Sequence, residues 1–477
     1  SALGASVAPR RHATIATASI WAPTWALLTL VSRLAAAAFS DLGLGDDGAR
    51  IFWLEEWRND PHFIRSGLWM PGHLYLHAFV GLVVRDAAWS GVVLSAVTSA
   101  GTVWILTRAV DRDWGSKAAA FAGGAMALQP IALAYGANPD VNPVFAFAIV
   151  AAVAALDRGR RTSRRVWYAV AWLCAGLATW SRMEAVFFLP FLTLPLWPRW
   201  RAMLAFTAAA YIAPIAWYAA DFFATGRTAN VVHVMQDDPS LATATVAAIF
   251  SFMGAVWQGI TFPWIVLGVA GMVRAVRAGI GRAWIPLVLV HVAALGGAAL
   301  VLGAGLQARY LLLPGALCGA YAGVALGGMF ERSPRWAAAF AFAAIVMVLT
   351  TPAMFPGRDD LWMRRNPHLR ALVDEVARAA QDGDVVWIAD DSAFFYAVRT
   401  HTPVERYHAL SRADEDPAEL YERLRRSEAA VACVQVAPRP LAQWDTFRQQ
   451  AAAEWNIEPI AVRPDYHVYR LRRIAAS

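Results

Sequence analysis

The sequence predicts a mainly α, polytopic membrane protein of about eleven transmembrane helices, ending in a small α/β domain outside the membrane. Three observations carry that prediction. Of 477 residues, 58% are hydrophobic and only 16% charged, a balance that excludes an ordinary soluble enzyme. Arginine clusters alternate with apolar stretches, as they do in short cytoplasmic loops. After about residue 352 the chain turns polar, and strand-like runs alternate with amphipathic helical stretches. The net charge of +7 is thus loop charge, and no nucleic-acid partner is expected.

A helix needs roughly 20 apolar residues to cross the hydrocarbon core, and basic residues mark its cytoplasmic end. Arg10-Arg11-His12 precede an apolar stretch too long for a signal-peptide core, with no small-residue cleavage site, so a retained first helix is expected. That first span covers about 17–39 and leaves the N-terminus inside. The segment 41–86 follows as an outer loop. Its part from Pro71 to Val84 is apolar but short, bracketed by His73, His77 and Arg85-Asp86, and reads as a helix lying in the interface. The second span, about 87–109, returns to Arg108, Arg112 and Lys117, and the third, 118–137, emerges at Asn138-Pro139-Asp140.

The fourth span, 143–156, ends at the strongest inside marker, the run from Arg158 to Arg165. The fifth, 166–180, comes out at Ser181-Arg182-Met183-Glu184, and the sixth, 185–197, returns to Arg199 and Arg201. The seventh, 202–220, exits at Asp221 before a long outer stretch containing His233 and Asp237-Asp238, with a second interfacial helix expected over 242–258. Spans at about 259–273, 284–303, 311–329 and 336–352 complete the set. Were 72–85 a true span, Arg158 to Arg165 would face outward, which the charge rule rejects. Residues 1–352 thus form the membrane module and 353–477 the outer α/β domain. Its strand-like runs are Asp384–Ala389, Ala429–Val436 and Tyr466–Arg470, with helical stretches at Leu369–Ala380 and Pro417–Arg426.

The topology gathers Asp46, Asp47, Asp140, Glu184, Asp221 and Arg309 on the outer face. Carboxylates are costly at a bilayer face and unnecessary for anchoring a helix. The pair Asp46-Asp47 could simply cap a helix, Asp140 could be turn chemistry, and Arg309 could snorkel to head groups. Together they suit transfer of a sugar from a lipid phosphate. A positioned carboxylate takes the proton of an attacking hydroxyl or amine, and an arginine holds the phosphate leaving group. Cys174 and Cys318 lie in apolar segments and Cys433 in the polar tail, so neither a disulfide framework nor a CxxC metal site is available. His62, His73 and His77 lack an HExxH pattern, and no metal ligands are assigned. The many Trp residues read as interface anchors.

These segments resemble the GT-C superfamily of polyprenyl-phosphate-sugar glycosyltransferases, which includes protein O-mannosyltransferases, the lipid A aminoarabinose transferase and arabinofuranosyltransferases. Five motifs carry the resemblance over about 1–330: Gly45-Asp46-Asp47-Gly48 in the first outer loop, Trp69-Met70-Pro71-Gly72-His73 entering the interfacial helix, Asn138-Pro139-Asp140, Arg182-Met183-Glu184, and Arg309-Tyr310 followed by Pro314. The resemblance implies an inverting transferase in the inner or plasma membrane. Asp46, or else Asp47, would be its catalytic base, and Asp140, Arg309, Tyr310, Arg182, Glu184 and His73 would bind substrate. The partners implied are the bilayer, a polyprenyl-phosphate sugar and a glycan, lipid or protein acceptor. Some members use a divalent cation beside their acids. Gly48-Ala49-Arg50 departs from the family, where a Tyr is common. The alternative, a transporter or lipid flippase, predicts repeated halves and charged or broken helices near the midplane. A non-catalytic assembly protein predicts instead that Asp46→Asn changes nothing.

Overall fold

The computed structural model describes residues 20–39, 50–51, 54, 57–58, 61, 70–226, 250, 253–254, 256–257, 259–302, 308–354, 367–380, 384–388, 397, 406–409, 429–435, 449, 451–462 and 466–474. Helices α1 (Trp21–Phe39), α2 (Gly72–Gly81) and α3 (Ala87–Trp114) open the chain. Asp86 caps α3, its carboxylate accepting from the Trp89 backbone N–H at 2.8 Å. Helices α4 (Ser116–Ala127) and α5 (Pro130–Gly136) follow. Next come α6 (Val141–Thr162), α7 (Arg165–Ser181) and α8 (Trp200–Thr225). The remaining membrane helices are α9 (Phe262–Ala278), α10 (Ile285–Leu302), α11 (Leu312–Arg332) and α12 (Pro334–Met354).

Two of the expected spans differ from simple helices. The third is broken: α4 and α5 meet at a 60° bend, where Pro130 removes a backbone donor. The sixth, expected over 185–197, is a run of short turns at Met183–Phe187, Leu189–Leu192 and Leu194–Leu196. Pro190, Pro195 and Pro198 each remove an N–H and clash with the preceding turn, so no continuous helix forms. The run still traverses the bundle, because Phe188 packs on Phe145 near the start of α6 and Leu196 clusters with Ala155 and Leu156 near its end. Among the described residues five helices are long and apolar enough to cross a membrane, six with the bent pair; α7 and α9, at 17 residues each, fall just short.

Side-chain contacts fix the relative directions. Ser95 meets Asp140 and Arg112 meets Asp157, so α3 and α6 run parallel. Arg182 meets Asn142 while Tyr168 abuts Gly159, so α7 is antiparallel to α6. The indoles of Trp172 and Trp180 donate to the carbonyls of Ala209 and Ala213, which makes α8 parallel to α7. Trp21 reaches Ser116 and Arg33 reaches the Ala127 carbonyl, so α1 and α4 are parallel. Helix α9 lies so close along α11 that a Cβ on Gly271 would sit 1.9 Å from the Tyr321 carbonyl oxygen. Where α11 crosses α4, a Cβ on Gly323 would be 2.4 Å from Ala122. Such small-residue seams let membrane helices pack backbone to backbone. Each of these relations agrees with the alternation that the charge pattern predicts. One end of the bundle gathers Asp140, Arg182, Glu184 and Arg309, and the other carries Arg112 and the run after Asp157.

The polar tail forms α13 (Pro367–Ala379) and five strands: β1 (Val385–Ile388), β2 (Tyr407–Ala409), β3 (Ala429–Gln435), β4 (Trp455–Val462) and β5 (Tyr466–Arg473). Their order is β2-β1-β3-β5-β4, with β1 parallel to β2 and β3, and β5 antiparallel to both its neighbours. Three of these strands and α13 match the expected runs, whereas β2 and β4 are additions. The expected helix over 417–426 lies outside the described residues. One buried apolar cluster joins Ile51 and Leu54 of the first loop and Ala87 of α3 to Val373 and Val376 of α13 and Val386 of β1. The sheet therefore adjoins the Asp140 end of the bundle.

Candidate active site

Asp140 stands between the bend of α4–α5 and the first turn of α6. Its carboxylate caps α6: Oδ1 accepts from the backbone N–H and the side-chain amide of Asn142, both at 2.6 Å. Ser95 of α3 donates its hydroxyl to the Asp140 carbonyl at 3.2 Å, pinning the turn from the neighbouring helix. The residue is fully buried. Oδ2 accepts no hydrogen bond among the described residues and lies 3.9 Å from Arg309 Nη1. Turn chemistry and a charged site thus coincide in one side chain.

Asn142 carries the network onward. Its amide oxygen accepts from Arg182 Nη1 at 2.6 Å. Arg182 ends α7 in an extended conformation, and its guanidinium also binds Glu184 through Nε and Nη2. Burial on its own would raise the Glu184 carboxyl, but Arg182 outweighs it and holds the group below the usual carboxylate range. The same pairing keeps Arg182 firmly protonated against its own burial. Tyr310 lies under both cations: the Arg182 guanidinium carbon is 4.6 Å and that of Arg309 5.6 Å from the ring centre. Three sequence motifs distant along the chain, those of Asp140, Arg182-Met183-Glu184 and Arg309-Tyr310, are therefore one cluster.

Helix α2 lies beside this cluster. Its Gly72 abuts the Trp180 backbone, and Gly91 of α3 sits between His77 and Pro139. His73 and His77 are fully buried with ring centres 5.8 Å apart. His77 Nε2 donates to the Ala87 carbonyl at 2.7 Å. Burial, with Arg50 and His77 adding like charge, holds His73 well below the usual imidazole value. Burial brings His77 down to about 4; the hydrogen bond to the Ala87 carbonyl opposes this, and the nearby Arg58 and Arg50 add to the lowering. His73 makes no hydrogen bond to the cluster; neither of its ring nitrogens has a partner among the described residues.

Sequence reading missed three residues here. Asn142 is the bridge between Asp140 and Arg182. His291 of α10 is buried edge-on against Phe145 and Phe188, at 6.1 and 5.2 Å between ring centres, and lies in the field of Glu184. A lone histidine within an apolar span was the signal available for it. Arg33 of α1, also fully buried, donates to the Ala127 carbonyl at 2.8 Å, at the break between α4 and α5. Asp46 and Asp47, and likewise His62, His233, Asp237 and Asp238, lie outside the described residues. Among those described, no three of His, Cys, Asp and Glu converge, and Asp140 Oδ2 faces a guanidinium. These residues alone do not make a divalent-cation site.

Comparison with known proteins bears out the resemblance. Residues 70–220 match the family model described as dolichyl-phosphate-mannose-protein mannosyltransferase. The putative mannosyltransferase YycA of Bacillus subtilis is 29% identical over 121 residues, a match that takes in 25% of this chain and only 18% of that relative's length. Among solved structures, ArnT from Cupriavidus metallidurans bound to undecaprenyl phosphate superimposes with a TM-score of 0.65 at 16% identity, covering 96% of this chain and 98% of that one. The oligosaccharyltransferase of Archaeoglobus fulgidus, in complex with Zn and sulfate, gives 0.53 at 13% identity, covering 94% and 72%. At such identities the likeness shows the fold: a polytopic membrane protein of GT-C architecture.

Proposed function

We propose that this GT-C fold serves an integral membrane glycosyltransferase, which moves a sugar from a polyprenyl-phosphate donor to a glycan, lipid or protein acceptor on the outer side of the membrane. The observation that carries the reading is the cluster of buried Asp140, Asn142 and Arg309 with half-buried Arg182, Glu184 and Tyr310 at one end of the bundle. A lipid phosphate entering from the bilayer meets two guanidiniums there, stacked on one ring. Support comes from the relative with the same fold, which is described with undecaprenyl phosphate bound.

In the proposed reaction the acceptor hydroxyl or amine attacks the anomeric carbon from the face opposite the phosphate, so configuration inverts. Asp46, with Asp47 beside it, takes the acceptor proton as the new bond forms. The bond between the anomeric carbon and the phosphate oxygen breaks, and its electron pair leaves with the polyprenyl phosphate. Arg309 neutralises the charge gained there. Arg182 is held by Glu184 and Asn142 and keeps Tyr310 and the phosphate side in place. Asp140 Oδ2, beside Arg309 and with its hydrogen-bonding capacity unused among the described residues, accepts from a sugar hydroxyl, and His73 faces the donor or acceptor from α2. The domain over 353–477 is assigned to the outer side, next to the site.

The test is transfer in vitro from a panel of polyprenyl-phosphate sugars, followed by anomeric analysis of the product. The wild type is expected to use at least one donor with inversion, and Asp46→Asn to lose at least 100-fold in kcat, the usual scale of a missing general base. Retained configuration, or full activity of both Asp46→Asn and Asp47→Asn, would refute the proposed chemistry.

A further inference from the structure

At the opposite end of the bundle, α3, α6 and the start of α7 enclose an open cleft of about 1090 Å³. Its wall towards the middle of the bundle is apolar, formed by Ala151, Ala155 and Val170. Its rim carries Trp104, Arg108, Arg158 and Trp167. The lining also carries Arg112 and Arg161, both paired to Asp157, and Asp111, so four arginines stand against two carboxylates and the rim keeps a net positive charge. Arg108 and Arg158 differ: among the described residues neither makes an ion pair, and Arg158 stacks 4.2 Å over the Trp167 ring. Two arginines with unspent charge thus sit above a dry wall, flanked by indoles, where the helix ends meet the bilayer surface. That is the layout of an amphiphile: phosphate level with the cations, glycerol at the indoles, acyl chains along the alanines.

We propose that this cleft binds an anionic phospholipid of the leaflet opposite the active site, with Arg108 and Arg158 on its head-group phosphate. Charge complementarity selects the occupant. A zwitterionic lipid brings its own cation to a rim that already carries two, and a soluble phosphate has no use for the apolar wall. The site is remote from the Asp140 cluster and does not depend on the catalytic reading.

Native mass spectrometry of the full chain, delipidated and titrated with phosphatidylglycerol, phosphatidylcholine or inorganic phosphate, tests this. One tight phosphatidylglycerol is expected, and Arg108→Ala with Arg158→Ala should weaken it about 30-fold, at roughly fivefold per surface arginine. Arg108→Lys with Arg158→Lys should retain most of the affinity and serves where the alanine pair fails to fold. Arg164→Ala with Arg165→Ala, on the same face but outside the cleft, should change it little. Equal weakening by the Arg164 and Arg165 pair would reduce the effect to net charge and overturn the site. So would equal binding of phosphatidylcholine, or displacement of the lipid by inorganic phosphate.

Discussion

Arg182 is the residue on which most of the cluster's contacts converge. It donates to Asn142 and Glu184 and covers Tyr310. Replacing it by alanine strands the Glu184 carboxylate, whose side chain is 26% exposed. Removing one partner of a buried pair costs about 3–5 kcal/mol, and partial solvation here reduces that to about 2. Arg182→Ala should therefore lower both thermal stability in detergent and transfer rate. Arg182→Lys should recover stability but little activity, since an ammonium cannot span both acceptors in one plane. His77 gives a pH prediction. Its folded-state value is brought down to about 4, against roughly 6.5 in the unfolded chain. Between those values the unfolded chain binds the extra proton, so stability present above pH 6.5 is lost as pH falls towards 4, about 3 kcal/mol in all. Melting temperatures across that window should show the slope in wild type and a shallower one in His77→Gln, which keeps a donor for the Ala87 carbonyl. At this scale the sequence was partly readable. Asp140, Arg182, Glu184 and Arg309 stand out because charge at a helix end in an apolar chain is conspicuous. Asn142 was inside the quoted Asn-Pro-Asp-Val-Asn-Pro run, yet its role depends on Arg182 arriving from another helix, which no local pattern records.

The helices show where local pattern succeeds. Apolar runs bounded by arginines located α1, α3, α6, α7 and α8, although α3, α6 and α8 run on five or six residues past the expected ends, because both length and charge are local properties. The break at Pro130 and the fragmented crossing over 183–197 were equally local in cause, since Pro190, Pro195 and Pro198 are plain in the sequence. Hydropathy averaged over a span does not register the loss of single backbone donors. A broken span was expected of a transporter, but here its break is closed by Arg33 and leads directly to Asp140. Helix seams yield a test of packing. A leucine at Gly323 must push α11 off Ala122 of α4, which should cost about 2 kcal/mol or more and lower the melting temperature by several degrees. Gly297→Ala, where no atom of the described residues lies within 4 Å, should not lower the melting temperature in the same measurement.

For the molecule as a whole, the relative directions of the helices put the acidic and arginine cluster at one end and the arginine-rich loops at the other. By the positive-inside rule this charge asymmetry predicts that the Asp140 end faces outside. Single cysteines check that assignment. In intact cells an impermeant thiol reagent should label Val83→Cys, in the exposed turn after α2, and should reach Ser163→Cys only after permeabilisation. The reverse pattern would invert the protein and move the proposed site to the cytoplasm. The central claim is that the Asp140 end grips a lipid phosphate and releases a sugar from it. The most direct measurement is kcat/KM for transfer from a polyprenyl-phosphate sugar by wild type and Arg309→Ala, both shown to be folded by their melting curves. A charge-assisted contact to the leaving phosphate predicts a loss of about 100-fold, near 3 kcal/mol. Transfer by Arg309→Ala at the wild-type rate and donor concentration would contradict it.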